Sequence, residues 1–146
     1  MRIKILSVQI PMFWETIKFV VKTVDNVKEK ELPEYLNDML QALLNDKAQC
    51  FIEMDDNTRE LHAMCITRLL YDKVIMKNYL FIQCLYSFKP LDDSVWRKGL
   101  DLIHQFAKAQ SCAYISCSSK NQRIWDIVTG YGYDEVERVF KFNIGG

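Results

Sequence analysis

The stretch that decides the fold runs from Asn78 to Ser118 and reads NYLFIQCLYSFKPLDDSVWRKGLDLIHQFAKAQSCAYISCS. Its first part, Tyr79 to Ser87, is almost continuously apolar, which is typical of a strand buried on both faces. An amphipathic helix follows and runs to about Gln110, and Ala113 to Ser118 predicts a second strand. A strand, a helix and a strand in this order form a βαβ unit, so we expect the two strands to lie parallel.

The connection into the helix has clear boundary signals. Pro90 disfavours helix at the residue before it. We expect Asp92, Asp93 or Ser94 to cap the start of the helix with its side chain. Gly99 lies on the packed side of the helix at a cost of about 1 kcal/mol relative to alanine. A close approach of the helix to a strand is the simplest reason for that glycine.

The remaining segments predict strands and helices around this βαβ unit. In chain order they are a strand over residues 3–8, helices that begin near Pro11 and Pro33, strands over residues 48–54 and 61–71, a helix over residues 121–129 and a strand over residues 136–144. Residues 25–31 predict a charged, solvated connection. Phe140, Phe142 and Ile144 alternate with polar residues in the terminal strand. The fold class is therefore α/β, a mixed sheet with about four helices.

Length and charge limit the classes of protein to which the chain can belong. Its 146 residues fit one domain over residues 1–146, and its 19 basic and 19 acidic residues cancel. A neutral chain does not carry the clustered positive charge that nucleic acids and anionic membranes select. No apolar run approaches the roughly 20 residues that span a bilayer. We expect neither a nucleic-acid partner nor a membrane partner.

The cysteines and histidines do not form a recognisable site. Five cysteines are an odd number, and most fall in apolar runs, so we expect free buried thiols and a reducing, cytoplasmic compartment. There is no CxxC pair, and His62 and His104 are isolated in the sequence. Metal sites need closer ligand spacing, so we expect no metal.

The last third of the chain carries a family resemblance. Asn121 is followed by Ile127 six positions on, Val128 seven on, and Gly132 and Tyr133 eleven and twelve on. This spacing resembles the GNAT N-acetyltransferase superfamily, whose members often show an Asn, an apolar residue six positions on, a Tyr seven on and Gly-Phe eleven and twelve on. The order of elements also resembles this family over essentially the whole chain. The resemblance implies a single GNAT-like domain with the acyl-CoA N-acyltransferase fold, in which the two parallel strands diverge.

Two functional features of that family are missing. The family's Tyr acts as general acid toward the leaving thiolate, and here that position is Val128. The family also cradles the pyrophosphate of acetyl-CoA on backbone N–H groups of a glycine-rich helix start. Asp93 stands where a cation is usual, and Ser94 and Trp96 stand where glycines are usual. Asp92 adds a second carboxylate that repels a pyrophosphate. The resemblance therefore predicts no cofactor, with acetyl-CoA retained only under an alternative hypothesis.

The resemblance also indicates where catalytic groups would lie. Glu53, Glu60 and His62 lie near the predicted hairpin, where this fold often places a general base. We favour solvent-facing strand ends for them, because the sequence names no partner for any of the three. Tyr131 or Tyr133 could supply a displaced phenol as general acid. The candidates for cofactor binding under the alternative hypothesis are Tyr86, Ser87, Ser94 and Asn121.

Two functional hypotheses follow, and binding of some other small ligand in the cleft between the two parallel strands remains a third possibility. The first is a non-catalytic GNAT-fold protein that acts as a structural or protein-interaction subunit. Small degenerate proteins of this kind resemble those carried by tailed bacterial viruses, some as virion components, so a virus particle is a second possible location. The alternative is an acetyl-CoA-dependent N-acyltransferase with an atypical site, in which a positioned amine attacks directly. The sequence favours the first hypothesis and a protein partner.

Overall fold

The computed structural model describes residues 1–145 of the chain. They form the helices α1 (Ile10–Asp25), α2 (Leu32–Leu44), α3 (Asp93–Ala109) and α4 (Gln122–Tyr131). The strands are β1 (Arg2–Lys4), β2 (Ala48–Met54), β3 (Leu61–Asp72), β4 (Lys77–Ser87) and β5 (Ile115–Cys117). Single turns of 3-10 helix, Ser7–Gln9 and Glu29–Glu31, precede α1 and α2.

The strands form one mixed sheet in the order β1-β2-β3-β4-β5. Neighbours from β1 to β4 are antiparallel. β4 and β5 are parallel, with Leu80 opposite Ile115 and Ile82 opposite Cys117. The parallel βαβ unit predicted from Asn78 to Ser118 is therefore confirmed.

Two apolar cores lie on opposite faces of the sheet. On one face, Ile17 of α1 and Cys84 of β4 belong to a core covered by α1 and α2. On the other face, Leu100 of α3 packs with Leu80 and Ile82 of β4, and α4 joins the same core. All three β4 side chains are fully buried. This two-sided burial explains the continuous apolar sequence of the central strand.

The helices begin in two different ways. Pro11 and Pro33 lie in the first turns of α1 and α2, where the missing N–H of proline costs nothing. Asp92 is the N-cap residue of α3, but its side chain makes no capping hydrogen bond. The side-chain cap predicted for this helix is therefore not formed by its N-cap residue.

The terminal strand predicted over residues 136–144 is wrong. Residues 133–143 have no regular secondary structure, and the large apolar side chains of the segment are between 81% and 91% exposed. A strand is stable only beside another strand, and within residues 1–145 the sheet ends at β5. The alternation of Phe140, Phe142 and Ile144 thus marks a segment that has strand character but no partner.

Gly99 does not mark a close approach of α3 to the sheet, as its position in the sequence suggested. A Cβ atom added at Gly99 would have no atom within 4 Å outside its own helix backbone and chain neighbours. Instead, Gly99 lines a narrow cavity of about 50 Å³ between α3 and the sheet. The space that the missing side chain leaves is open.

Gly132, which ends α4, adopts φ 122° and ψ 11°, a conformation that favours glycine. We expect Gly132→Val to lower the free energy of unfolding by about 1–3 kcal/mol through backbone strain. No atom lies within 4 Å of the added Cβ, so steric contact contributes nothing. Gly130→Val is the matched control, because Gly130 lies inside α4 in similarly open space.

Urea unfolding of both glycine variants measures the effect. The helical Gly130 position should tolerate valine with no loss, since valine has the better helix propensity. A loss below about 0.5 kcal/mol at Gly132, the size of an ordinary surface change, would contradict a strained position.

Candidate functional site

Pairing between the parallel strands β4 and β5 ends at Ile82 and Cys117, and we call this end of the pair the fork. β5 stops there, whereas β4 continues to Ser87 with β3 as its partner. Within residues 1–145, β4 has no strand neighbour on its β5 side beyond Ile82. Open α/β sheets bind ligands at the carboxyl ends of parallel strands. This fork is therefore the first part of the candidate site.

A β-bulge lies at the opening of the fork. Ile66 pairs with Cys84, but the next residue, Thr67, pairs with Ile82, so Gln83 is an extra residue on β4. Bulges re-aim side chains and are common beside active sites. Here the bulge lets Gln83 and Cys84 both reach the face covered by α1 and α2.

Gln83 is the centre of a polar network on that face. Its Nε2 donates to Asp25 Oδ2 at 2.8 Å and to the Tyr35 hydroxyl at 2.7 Å. Its Oε1 accepts a hydrogen bond from Arg68 Nε at 2.7 Å. Arg68 Nη2 also lies 3.1 Å from Asp38 Oδ2 in an ion pair. The network joins α1, α2, β3 and β4 and satisfies both ends of an amide in an apolar strand.

Asp25, the last residue of α1, is half-buried in this network. Burial raises the pKa of its carboxyl group, and hydrogen bonds from Gln83 and Cys84 and the charge of Arg68 offset part of the rise. A partly desolvated carboxylate of this kind can take up a proton or bind a cationic amine. The solvated connection predicted for residues 25–31 is therefore wrong at Asp25.

Sequence reasoning missed the network, although one signal pointed to it. Gln83 is a polar residue inside an apolar strand, and buried polar side chains need hydrogen-bond partners. Those partners are distant in the sequence, because Asp25 is 58 residues and Tyr35 is 48 residues from Gln83. No local pattern connects residues at such separations.

The start of α3 carries two carboxylates and one arginine from α4. Asp93 Oδ1 lies 2.8 Å from Arg123 Nη2 in an ion pair. The same nitrogen is 3.4 Å from the carbonyl oxygen of Leu91. Arg123 therefore ties the first turn of α4 to the start of α3. The positive charge of Arg123 is paired with Asp93, while Asp92 adds a second negative charge at the helix terminus.

Comparison with solved structures identifies the fold. A probable acetyltransferase superimposes with a TM-score of 0.76 at 10% identity, over 100% of this chain and 99% of that chain. A predicted acetyltransferase from Clostridium acetobutylicum, solved with acetyl-CoA, gives a TM-score of 0.71 at 15% identity, over 98% of this chain and 95% of that chain. This chain has the GNAT fold.

Other comparisons extend this result. The GNAT-fold chain is also similar to an aminoglycoside antibiotic 6'-N-acetyltransferase from Acinetobacter baumannii, with a TM-score of 0.70 at 19% identity over 99% of both chains. No protein-family model matches the sequence, and no curated protein is significantly similar to it. At these identities the likeness shows the fold, and function has to be argued from the site.

The GNAT fold implies acetyl-CoA, and the residues at the start of α3 can be tested for their fit to its pyrophosphate. An anion at a helix N-terminus needs free backbone N–H groups and no competing negative charge. Asp92 and Asp93 place two carboxylates there, and each repulsion costs about 1 kcal/mol in a solvated site. Arg123 offsets part of this charge through a solvent-exposed ion pair with Asp93. These residues do not fit a pyrophosphate.

The candidates for general base lie at one end of the sheet. Glu53 pairs with Ala63, which pairs with Ser87, so these residues form one row across three strands. Glu53 Oε2 lies 3.0 Å from Arg2 Nε in an ion pair and lines the cavity beneath α3. His62 Nε2 lies 3.5 Å from the Lys89 ammonium nitrogen. Glu60 is exposed just before β3.

The candidates for cofactor binding lie in two places. Tyr86 and Ser87 end β4, and the Tyr86 ring packs edge-on against Phe19 at 5.8 Å. Ser94 is exposed in the first turn of α3. Asn121 is the N-cap of α4, and its side-chain oxygen accepts hydrogen bonds from the backbone N–H groups of Arg123 and Ile124. Ser87 pairs with Ala63, the residue after His62, while Asn121 has a capping role.

Tyr131 and Tyr133 lie on the α3 side of the fold. The Tyr131 hydroxyl donates to Asp101, and the Tyr133 hydroxyl lies 2.6 Å from His104 Nε2. Burial and the hydrogen bond to Asp101 raise the pKa of Tyr131 to about 12, and burial also raises the pKa of Tyr133. A phenol that holds its proton this tightly is a poor match for a general acid near neutral pH.

The environment of His104 predicts that the stability of the fold depends on pH. Burial lowers the pKa of His104 below its ordinary value, against the opposing charge of Asp101. The unfolded chain therefore binds a proton at higher pH than the folded chain, so stability falls as pH drops through about 6.5. We expect the urea midpoint to decrease between about pH 7.5 and 5.5.

The matched variant for this prediction is His104→Gln, which keeps a polar side chain but cannot titrate. It should lose most of the decrease between the two pH values. An equal decrease in the variant would assign the pH dependence to other groups.

The described residues offer little other chemistry. All five cysteines are free, and Cys50, Cys65 and Cys84 are buried. Burial raises the pKa of Cys50 to about 12, so this thiol is unreactive. Within residues 1–145, no group of three potential metal-ligating side chains is close enough to hold an ion. No helix in the same range is long and apolar enough to cross a membrane.

Proposed function

We propose that this GNAT-fold chain does not use acyl-CoA and serves as a structural or protein-interaction subunit. The observation that carries the proposal is the Asp93–Arg123 ion pair at the start of α3. The nearby arginine is paired with a side-chain carboxylate in a solvent-exposed ion pair, and Asp92 adds a further negative charge at the terminus. Cofactor phosphates would have to replace that ion pair and overcome the remaining charge.

The lack of an obvious general acid gives separate support. Val128 on α4 has no proton to donate to a leaving thiolate. The two nearby phenols already make hydrogen bonds, Tyr131 with Asp101 and Tyr133 with His104. An active GNAT-fold enzyme needs both a bound cofactor and a way to protonate its product thiol, and this chain lacks evident groups for either step.

The proposed partner is another protein. The net charge of zero does not favour nucleic acids or anionic membranes. Val8 and Met12, near the start of α1, are 81% and 80% exposed. We propose that these exposed apolar side chains are part of the contact surface. The setting we propose is a reducing cytoplasm or a virus particle, supported by the free cysteines and by the sequence resemblance.

A thermal melt in acetyl-CoA tests the proposal. A ligand at 100 times its dissociation constant stabilises a fold by about 2.7 kcal/mol. For a domain of this size that is a shift of roughly 5–15 °C. We expect no shift at about 1 mM acetyl-CoA beyond that in adenosine diphosphate, the charge control. A shift of several degrees in acetyl-CoA alone would overturn the proposal.

A second candidate function, an acyl-CoA-dependent N-acyltransferase with an atypical site, is favoured by the network at the β4 bulge. Asp25 there has the raised pKa of a general base that could accept a proton from an amine. Acetyl-CoA-dependent release of free thiol in the presence of a panel of amines tests this candidate. Release that disappears in Asp25→Asn, with an unchanged melting temperature, would favour the enzyme. No release above the protein-free rate would favour the subunit.

A further inference from the structure

A cavity of about 490 Å³ lies at the end of α3, away from the carboxylates at the helix start. Phe106 and Gln110, at the end of the helix, line it together with Lys4 of β1 and Gln49 of β2. Cavities that bind small ligands usually measure about 300–1,000 Å³. α3 has 17 residues, so its two ends are roughly 25 Å apart. The cavity is therefore separate from the helix start, and we call it the α3-end cavity.

Lys4 gives the α3-end cavity one positive charge. Its ammonium nitrogen lies 5.6 Å from the centre of the Phe106 ring. Within residues 1–145, Lys4 makes no ion pair with an acidic side chain. A contact between an ammonium group and a ring leaves N–H groups that can donate to an anion. Lys4 therefore favours a ligand with one anionic group.

Gln49 adds a buried hydrogen-bond donor on the same face of the sheet. Lys4 pairs with Phe51, and Gln49 lies two residues before Phe51 on β2, so both side chains face α3. Gln49 is 2% exposed, its Oε1 accepts from the Thr67 hydroxyl at 2.8 Å, and its Nε2 donates to the Asp46 carbonyl oxygen at 2.8 Å. An amide has two N–H groups, so one has no partner among residues 1–145. A ligand carboxylate can accept from Lys4 and from this N–H.

The α3-end cavity also has negative charge on its wall. Asp46, in the turn before β2, lines the cavity, and its carboxylate makes no ion pair in the described part of the chain. Gln110, the C-cap residue of α3, lines it too, so the negative end of the helix dipole lies there. Both features favour a cationic group and repel a doubly charged anion such as phosphate. The complementary ligand carries one charge of each sign.

The rest of the wall is largely apolar. The Phe106 ring packs edge-on against Phe51, with 5.7 Å between the ring centres. Leu69 of β3 is half-buried beside the cavity, and Leu6 at its rim is 59% exposed. Apolar walls with a few polar groups that fix orientation are typical of sites for small molecules. An apolar side chain on the ligand would cover this surface.

We propose that the α3-end cavity binds an apolar α-amino acid. The ligand carboxylate accepts hydrogen bonds from Lys4 and Gln49, and the ligand ammonium group lies at Asp46 and the end of α3. The ligand side chain packs on Phe106 and Leu69. A zwitterion matches a cavity with one cation and one anion, whereas a simple carboxylate or a simple amine leaves one of them unpaired. Binding there neither requires nor excludes acyl-CoA, because the cavity lies at the other end of α3 from the carboxylates.

Titration of the isotope-labelled full chain with L-phenylalanine, followed by amide NMR spectra, tests the proposal. We expect saturable shifts at the residues that line the cavity, with a dissociation constant of about 1 mM or below. Hydrocinnamate lacks the ammonium group and phenethylamine lacks the carboxylate, and both are smaller than the amino acid. Each should bind about 10-fold more weakly, since a hydrogen bond to a charged group supplies at least that factor. Equal affinity for either analogue would overturn the proposal, as would no saturable shift at about 10 mM L-phenylalanine.

Two variants assign each ligand charge to its partner. Lys4→Met keeps an apolar stem and should lose most of the preference for L-phenylalanine over phenethylamine. Asp46→Asn, which tolerates the φ of 60° at this position, should lose most of the preference for L-phenylalanine over hydrocinnamate. Lys89→Met removes a lysine beside His62, outside the cavity, and should leave all three affinities unchanged. If both cavity variants keep a normal circular dichroism spectrum and the full ligand preferences, the proposal is wrong. None of these outcomes depends on the acetyl-CoA melt.

Discussion

Replacing Trp96 by alanine is expected to lower the free energy of unfolding by about 3–5 kcal/mol, the usual cost of removing a buried aromatic side chain. Trp96 is 8% exposed and packs in the core between α3 and the sheet. In the sequence it stands where a cofactor-binding helix start would have a glycine. The structure shows that its side chain instead holds α3 on the sheet.

Trp125 provides the matched control for this prediction. It is 46% exposed on α4, and its indole N–H donates to the Ser119 carbonyl oxygen. Trp125→Ala should cost about 1 kcal/mol, the value of one exposed hydrogen bond. Urea unfolding followed by circular dichroism measures both variants. Equal losses would show that Trp96 does not have the core role described here.

Replacing Arg68 by methionine is expected to cost about 2 kcal/mol. The guanidinium donates to Gln83 and Asp38 and lies near the half-buried carboxylate of Asp25. Its loss leaves the Gln83 oxygen without a donor and removes a favourable charge from Asp25. The estimate is below that for a fully buried ion pair, because solvent screens the exposed Asp38 partner.

A double-mutant cycle separates the network from a general loss of packing. Arg68→Met should cost less in an Asp25→Asn background, because the desolvated charge is then absent. Arg97→Met, on the exposed side of α3, should change stability by less than about 0.5 kcal/mol. An Arg68 cost that is the same in both backgrounds would contradict electrostatic coupling between Arg68 and Asp25.

The fold could be predicted because local patterns in the sequence indicate most of its helices and strands. The apolar run of β4, the amphipathic stripe of α3 and the prolines at the starts of α1 and α2 each report a neighbouring surface or a backbone constraint. The prediction of a terminal strand is wrong, because that strand depends on a partner and not on its local pattern alone. Residues 136–144 have the pattern of a strand, but a strand exists only if an edge is available to pair with it.

The candidate site was much less accessible from the sequence. The sequence indicates that Asp93 is unfavourable for a phosphate, but its partner Arg123 lies 30 residues away on another helix. Asp25 looked like part of a solvated connection, because its burial depends on Gln83, Tyr35 and Arg68 from three other elements. Interactions of this kind depend on tertiary packing, which spacing along the chain does not encode.

The most direct test of the central claim is native mass spectrometry of the purified chain, alone and after addition of about 1 mM acetyl-CoA, far above a micromolar dissociation constant. The prediction is a spectrum with no acyl-CoA adduct in either sample, because the carboxylates at the start of α3 repel a pyrophosphate. An adduct of one acetyl-CoA per chain, absent with adenosine diphosphate as the control ligand, would contradict it.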